Sequence, residues 1–253
     1  MSPPAVTRAI ASLEERVGVE LFRRTTRVVK LTDAGARFFA ETRRILGELE
    51  DAEASASGSQ AALRGTVAVT APVMFGRLFV APIVLEMLGS HPQVKVRALF
   101  VDRVVDLVEE GMDVAIRIAN LPEKSTDVAA KVGVVRRVVC ASPAFVAAHG
   151  APETPADLER MDAIAFSPAA TEGDWAFPVD GQTAIVRPRV RLVVSSTELS
   201  VTAAVAGHGV ARALSYQVAE EVRAGRLVVL LEGFEPPPVP VHVVYREGRR
   251  AAA

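Results

Sequence analysis

The chain has 253 residues, 50% of them apolar, with a net charge of −1 and a mean hydropathy of +0.26. That is ample for a globular core in more than one domain, and the near-neutral total excludes a chain that is basic throughout. One cysteine, Cys140, excludes a disulfide framework or cysteine-rich metal site, and its neighbours Val138, Val139 and Ala141 predict a buried, inert thiol.

Ser2 ahead of Pro3 predicts a helix start, a hydroxyl cap followed by proline in the first turn. Val6, Ile10, Leu13 and Val17 form one apolar stripe, and Gly18 is placed to close the helix. Pro3, Pro4, Thr7 and Arg8 lie at its start, with Thr7 and Arg8 off the stripe. A helix entering a major groove needs small side chains for close approach, arginine to pair with guanine, and threonine to reach a base or methyl group.

Leu21 and Phe22 return to the core before Arg23, Arg24, Thr25, Thr26 and Arg27, and Val28 to Leu31 have strand character. A hairpin with Arg24, Thr25, Thr26 and Arg27 at its tip is a wing, whose arginines meet phosphates or enter a narrow minor groove. A solvated basic turn beside a surface helix is the competing reading. Basic residues outnumber acidic ones from Met1 to Leu46, an asymmetry that points to a DNA-contacting end.

Thr32-Asp33 predicts the next helix start, with an acid in the first turn where the dipole favours it. Phe38, Thr42, Ile45, Leu49, Ala52 and Ala56 fall on a heptad seam that Phe39 and Leu46 widen. The Ser/Gly/Ala-rich stretch from Ser55 to Ala62 follows, so the segment reads as a dimerising helix ending in a linker. A helix packed on its own domain is the alternative.

Together these residues resemble the LysR-type transcriptional regulators. The family's pattern is matched by Ala5-Val6-Thr7-Arg8-Ala9-Ile10, Leu13-Glu14, Gly18, Leu21-Phe22-Arg23-Arg24, Arg27 and Leu31-Thr32-Asp33-Ala34-Gly35. The resemblance implies that Pro3, Pro4, Thr7 and Arg8 face the major groove and that Arg27 enters the minor groove. In the family a first helix and most of a second precede the position of Ser2, so the resemblance describes a chain truncated within the winged helix-turn-helix. Val6, Ile10 and Leu13 would then lack their cover, forfeiting roughly 1.5–3 kcal/mol each. The alternative reading is therefore an N-terminally truncated small-molecule-binding protein that no longer binds DNA by itself.

From Thr66 onward short β-branched runs alternate with helical segments, predicting an α/β domain with a largely parallel sheet. The strand Val67 to Thr70, a helix opened by Ala71-Pro72, the strand Val94 to Phe100, a helix Asp102 to Glu110 and the strand Val114 to Ile118 make one lobe. The helix Asp102 to Glu110 would turn Val104, Val105, Leu107 and Val108 inward. A second unit reads as strand Arg137 to Ala141, helices Pro143 to His149 and Pro155 to Arg160, and strand Ala163 to Phe166. A hairpin-like stretch through Trp175, Phe177 and Val186 to Val194, a helix Glu198 to Ala206, Gly209 to Leu214 and a strand Leu227 to Leu231 complete it. Val239 to Tyr245 returns to the first lobe. The motif Asp102 to Ile118 strengthens the resemblance, which implies a two-lobed effector-binding domain like the periplasmic solute-binding proteins. The expected division is a partial winged helix-turn-helix over 1–35, a linker helix and hinge over 36–64, and the effector domain over 65–253. Its first lobe would hold 65–136 and 237–253, its second 137–236.

Ligands in open α/β sheets bind at the carboxyl ends of strands, near helix N-termini. That places Thr70, Ala71 and Pro72, Val101 and Asp102, Ile118 and Ala119, Phe166 and Ser167, and Ser196 and Thr197 around a cleft. Ser195 and Glu198 have capping-box spacing, so capping competes with ligand contact there, and Asp102 has an N-cap as its competing reading. Gly207-His208-Gly209 is no dinucleotide fingerprint, because Arg212 stands at the third glycine position, and His91, His149 and His242 have no metal-spaced partner. No nucleophile elbow, zinc-protease motif or phosphate loop is present. The expectation is a cytoplasmic regulator, not an enzyme, without cofactor or metal. Its partners would be double-stranded DNA, a small anionic effector and further copies of itself in a homodimer or homotetramer. No apolar run approaches bilayer-spanning length, so no membrane is expected.

Overall fold

The computed structural model describes residues 3–24, 29–56, 63–121, 127–166 and 174–246. Contacts divide the chain into two units, one up to Ala62 and one from Leu63. Of the predicted linker from Ser55 to Ala62, Ser55 and Ala56 end a helix and the rest lies outside the described residues.

In the first unit, helix α1 runs Pro3–Val17 and ends at Gly18, whose φ is 76° and whose N–H donates to Glu14 O at 2.8 Å. The Glu14 carboxylate then folds the chain back: its Oε1 accepts from Leu21 N at 2.8 Å and Phe22 N at 3.0 Å. Strands β1 (Phe22–Arg24) and β2 (Val29–Leu31) pair antiparallel, and helix α2 follows over Asp33–Ala56. Thr32 caps α2, its Oγ1 accepting from Gly35 N at 2.9 Å and donating to Glu20 O at 2.7 Å. Gly35 is buried against the chain before β1, where a Cβ would stand 2.0 Å from Leu21 O. Only glycine fits that close approach, which is the physical reason for the Leu-Thr-x-Ala-Gly pattern.

The second unit holds two mixed sheets. The first is built from β3 (Gly65–Ala71), β4 (Val94–Phe100), β5 (Val114–Ile118), β6 (Asp127–Val135) and β14 (Val239–Arg246), in the order β4-β3-β5-β14-β6. The second is built from β7 (Arg137–Ala141), β8 (Asp162–Phe166), β11 (Arg189–Val194), β12 (Val210–Leu214) and β13 (Val228–Leu230), in the order β11-β8-β12-β7-β13. Strands β9 (Trp175–Val179) and β10 (Gln182–Val186) form a separate antiparallel hairpin. Pairing is parallel among β3, β4 and β5 and among β8, β11 and β12. It is antiparallel where β14 meets β5 and β6, and where β7 meets β12 and β13. The expected largely parallel arrangement is thus corrected to a mixed one. Strands that leave or re-enter a sheet at the two crossovers run against their neighbours.

Helices cover the sheets. Helix α3 spans Val73–Ser90, α4 Pro143–His149, α5 Thr197–Val205 and α6 Ser215–Arg223. The second sheet has one core of Val138, Cys140 and Ile164 against Val201, Ala204 and Val218, and another of Val139 and Ala163 against Phe145, Leu158 and Trp175. Within α3 the Ala81 N–H reaches Gly76 O, five residues back, making a wide turn just ahead of Pro82, which has no N–H to give. This 18-residue helix has a mean hydropathy of 1.6, so, contrary to expectation, one apolar segment does approach bilayer-spanning length. By length and composition α3 passes that test; Met74 and Val80 are buried in the folded unit, whereas Ile83 and Leu85 are exposed.

The segment Asp102 to Glu110 is not a helix. It is irregular to Asp106 and then makes a turn, because Asp106 Oδ1 accepts from Val108 N at 2.8 Å and Glu109 N at 2.9 Å. Val105 and Leu107 are buried, whereas Val104 is 81% exposed and Val108 49%. Pro155–Arg160 forms a 3₁₀ turn, and β6 and α6 are elements that the sequence pattern did not single out.

Candidate functional site

Two regions carry the residues expected to act. On the first unit, Thr7 and Arg8 are exposed on α1. Pro3 and Pro4 occupy its first turn and Arg24 ends β1, but their side chains, like all of Thr25, Thr26 and Arg27, lie outside the described residues. The hairpin adds a pair that was not expected: Arg23 stands directly opposite Lys30, both exposed. Like charges in register across two strands repel, and an anion such as a phosphate relieves the repulsion.

On the second unit, parallel pairing brings the ends of β3, β4 and β5 to one edge. Thr70 is 4% exposed and Ala71 2%, so both are built into that edge rather than projecting from it. Val101 N donates to Ala71 O at 2.9 Å, and Asp102 Oδ1 accepts from Val73 N at 3.0 Å. The chain leaving β4 therefore caps α3, just after Pro72, with a carboxylate from another strand. Ile118 ends β5 half-buried, and Ala119 N donates to Pro240 O at 3.2 Å.

The matching edge of the second sheet carries Phe166, 36% exposed, in register with Val194 of β11; Ser167 lies outside the described residues. The α5 cap is Ser196 and not Ser195: Ser196 Oγ accepts from Leu199 N at 3.3 Å and donates to Glu198 Oε2 at 3.3 Å. The Ser195–Glu198 capping box is corrected accordingly, because the helix begins one residue later than that box requires. Thr197 is buried at 4%.

Contacts from α3 span the two edges. Arg77 Nε lies 3.9 Å from Glu198 Oε1, and the rings of Phe75 and Phe79 stand 5.3 and 5.9 Å from that of Tyr216 at the start of α6. Burial pushes the Tyr216 hydroxyl up to about 12, with the Asp102 and Glu198 carboxylates adding to the rise. Beside these rings lies a cavity of about 500 Å3, bordered also by Val132, Val134 and Arg136. None of the residues expected to line the cleft borders it. In the second sheet, burial brings the Arg212 guanidinium down to about 10, with Arg137 adding to the effect. Arg212 donates to Ala176 O at 2.9 Å and lies 5.4 Å above the Phe177 ring.

A helix and basic hairpin, followed by a unit of two facing α/β sheets, is the layout of a DNA-binding regulator with an effector domain. Comparison with known proteins gives the family. Residues 1–36 match the bacterial regulatory helix-turn-helix of the LysR family, and residues 60–253 match the LysR substrate binding domain. The transcriptional regulator DmlR of Escherichia coli K12 is 34% identical, over 93% of this chain and 77% of its own length. PtxR of Pseudomonas aeruginosa is 31% identical, over 98% and 80%. The structure of CrgA from Neisseria meningitidis is 27% identical, covers 98% of this chain and 84% of its own, and superposes with a TM-score of 0.65. The chain belongs to the LysR family of transcriptional regulators. Both DmlR and PtxR are named transcriptional regulators.

Proposed function

We propose that this regulator senses a small anionic metabolite in the cleft between its two sheets. The observation that carries the reading is the approach of the α3 and α5 starts, marked by Arg77 at 3.9 Å from Glu198. At that distance the guanidinium makes no close bond to its partner, and it is 60% exposed. An effector carboxylate can take Arg77 while amides of α3 beyond the one held by Asp102 stay available. Thr70, Ala71, Pro72, Val101, Asp102, Ile118, Ala119, Phe166, Ser167, Ser196 and Thr197 are proposed to form the walls.

DNA is proposed to meet Pro3, Pro4, Thr7 and Arg8 in the major groove, and Arg24, Thr25, Thr26 and Arg27 at the wing, with Arg23 and Lys30 on phosphates. On α2, Phe39 is 57% exposed and Ile45, Leu46 and Leu49 are each 54% exposed. Side chains of that size on one helix support the proposal that 36–64 dimerises the protein.

The test is fluorescence anisotropy with DNA from upstream of the coding region, at several salt concentrations, with and without a library of small carboxylates. Salt-sensitive, sequence-preferring binding that one carboxylate shifts is the expected result. Binding that no carboxylate changes would remove the anionic effector, and no DNA binding at all would leave a small-molecule-binding protein.

A further inference from the structure

The chain crosses between the two sheets at Val135–Arg137 and returns ahead of Val239. The 500 Å3 cavity lies at these crossovers, within the size range of small-molecule sites. Its inner wall is Val138, Val218 and Val241, exposed by only 1%, 2% and 3%. Its mouth is Phe79, Val132 and Val134, at 45%, 60% and 53%. Phe75 and Phe79 are tilted at 4.7 Å, and each meets the Tyr216 ring edge-on. Such a ring cluster presents faces and edges to a further aromatic ring.

The polar groups narrow the occupant. Arg136 is already held by Glu235, through bonds from one nitrogen of 3.0 and 3.2 Å, so its charge is compensated. Ser215 Oγ accepts from Arg136 N at 3.1 Å, and Tyr216 Oη accepts from Gln217 Nε2 at 3.3 Å. Among the described residues neither hydroxyl proton has an acceptor, so the cavity offers O–H donors and asks for an acceptor. With Arg136 compensated and an inner wall of valines, the cavity favours a neutral occupant.

We propose that this hinge cavity is a second ligand site, for a neutral two-ring aromatic molecule carrying one hydrogen-bond acceptor such as a ketone oxygen. It stands apart from the anion cleft and survives the failure of that reading.

The probe is 2-acetylnaphthalene, titrated by calorimetry into the whole chain, with 2-ethylnaphthalene as the isostere lacking the acceptor. Saturable binding of one molecule per chain is expected, about fivefold tighter than the hydrocarbon. Tyr216→Phe or Ser215→Ala should erase that preference. Ala219→Trp, at an exposed lining position on α6, should weaken binding at least about tenfold. Non-saturable uptake, indifference to Ala219→Trp, or a preference that neither hydroxyl variant removes would overturn the site. The carboxylate effect on DNA binding is read separately, in Ala219→Trp, so the two readings fail independently.

Discussion

Replacing Gly35 by alanine tests whether the first unit is organised as described. In an ordinary helix this change stabilises by about 0.5–1 kcal/mol, because glycine loses more backbone entropy on folding. Here the new methyl would sit 2.0 Å from Leu21 O, 2.8 Å from Leu21 C and 3.1 Å from its Cα. All three are backbone atoms that cannot rotate away, and the carbonyl must retreat by more than about 1 Å to restore contact distance. Overpacking of that kind costs roughly 1–3 kcal/mol, which exceeds the helix gain. The retreat also pulls on Leu21 and Phe22, whose amides are held by Glu14, and on Thr32 N, which donates to Leu21 O at 3.0 Å. The expected outcome is a net loss of about 1–2 kcal/mol in this unit. It should show as faster proteolysis near the hairpin and weaker DNA binding, with effector-domain melting unchanged. A Gly35→Ala protein with wild-type proteolysis and wild-type DNA affinity would refute the reasoning.

Three further outcomes follow from the same contacts. Arg8→Ala should weaken binding to the preferred DNA sequence by about 1–3 kcal/mol, or roughly 5- to 150-fold, while non-specific binding changes little; a uniform loss across sequences would assign Arg8 to a phosphate instead. Asp102→Ala strips the acceptor from Val73 N and should cost about 1 kcal/mol, seen as a melting shift of roughly 2–4 °C, whereas Asp102→Asn keeps an acceptor and should recover most of it. Burial pushes the Cys140 thiol up to about 12 from 9.0, so the folded state keeps a proton that the unfolded chain releases first. Its contribution to stability is whole below about pH 9 and is lost as pH rises toward about 12. Denaturant titrations across that window should show a shallower decline in Cys140→Ala, and iodoacetamide at pH 8 should label the wild-type thiol only after unfolding.

A stripe and a closing glycine made α1 legible, and the Thr32 cap the start of α2, since such signals act within a few residues; Ser2, the expected α1 cap, lies outside the described residues. The region after Asp102 misled for an instructive reason. Val104, Val105, Leu107 and Val108 have helical spacing, but the Asp106 carboxylate takes the Val108 and Glu109 amides for itself and leaves a turn. Helix α6 was missed because it starts directly at the end of β12, with Gln217 Oε1 accepting from Leu214 N at 2.8 Å in place of a Ser or Asp cap. The antiparallel edge strand β6, exposed over much of its length, has no clean alternation to read. The proposed cleft residues stand at strand ends, which a sequence shows; the cavity is not legible there, because Phe75, Val134 and Tyr216 meet only through the two crossovers.

The position of α3 links these observations into one mechanical account. Its first amide is tied to Asp102 on its own sheet, while Arg77, Phe75 and Phe79 reach Glu198 and Tyr216 on the other. One end of the helix is thus fixed by a direct hydrogen bond, and its link across the cleft combines a long ion pair with ring contacts. A salt link at 3.9 Å between largely exposed groups is worth little by itself, so the rings hold more of the closed arrangement than the charges do. A ligand that takes Arg77 therefore changes the balance at small cost, whereas separating the rings would uncover apolar surface on both sides. On the proposed function, an anion in the cleft would adjust how the sheets meet without parting them. Such a graded response would act by shifting populations of sheet arrangements rather than by separating the sheets.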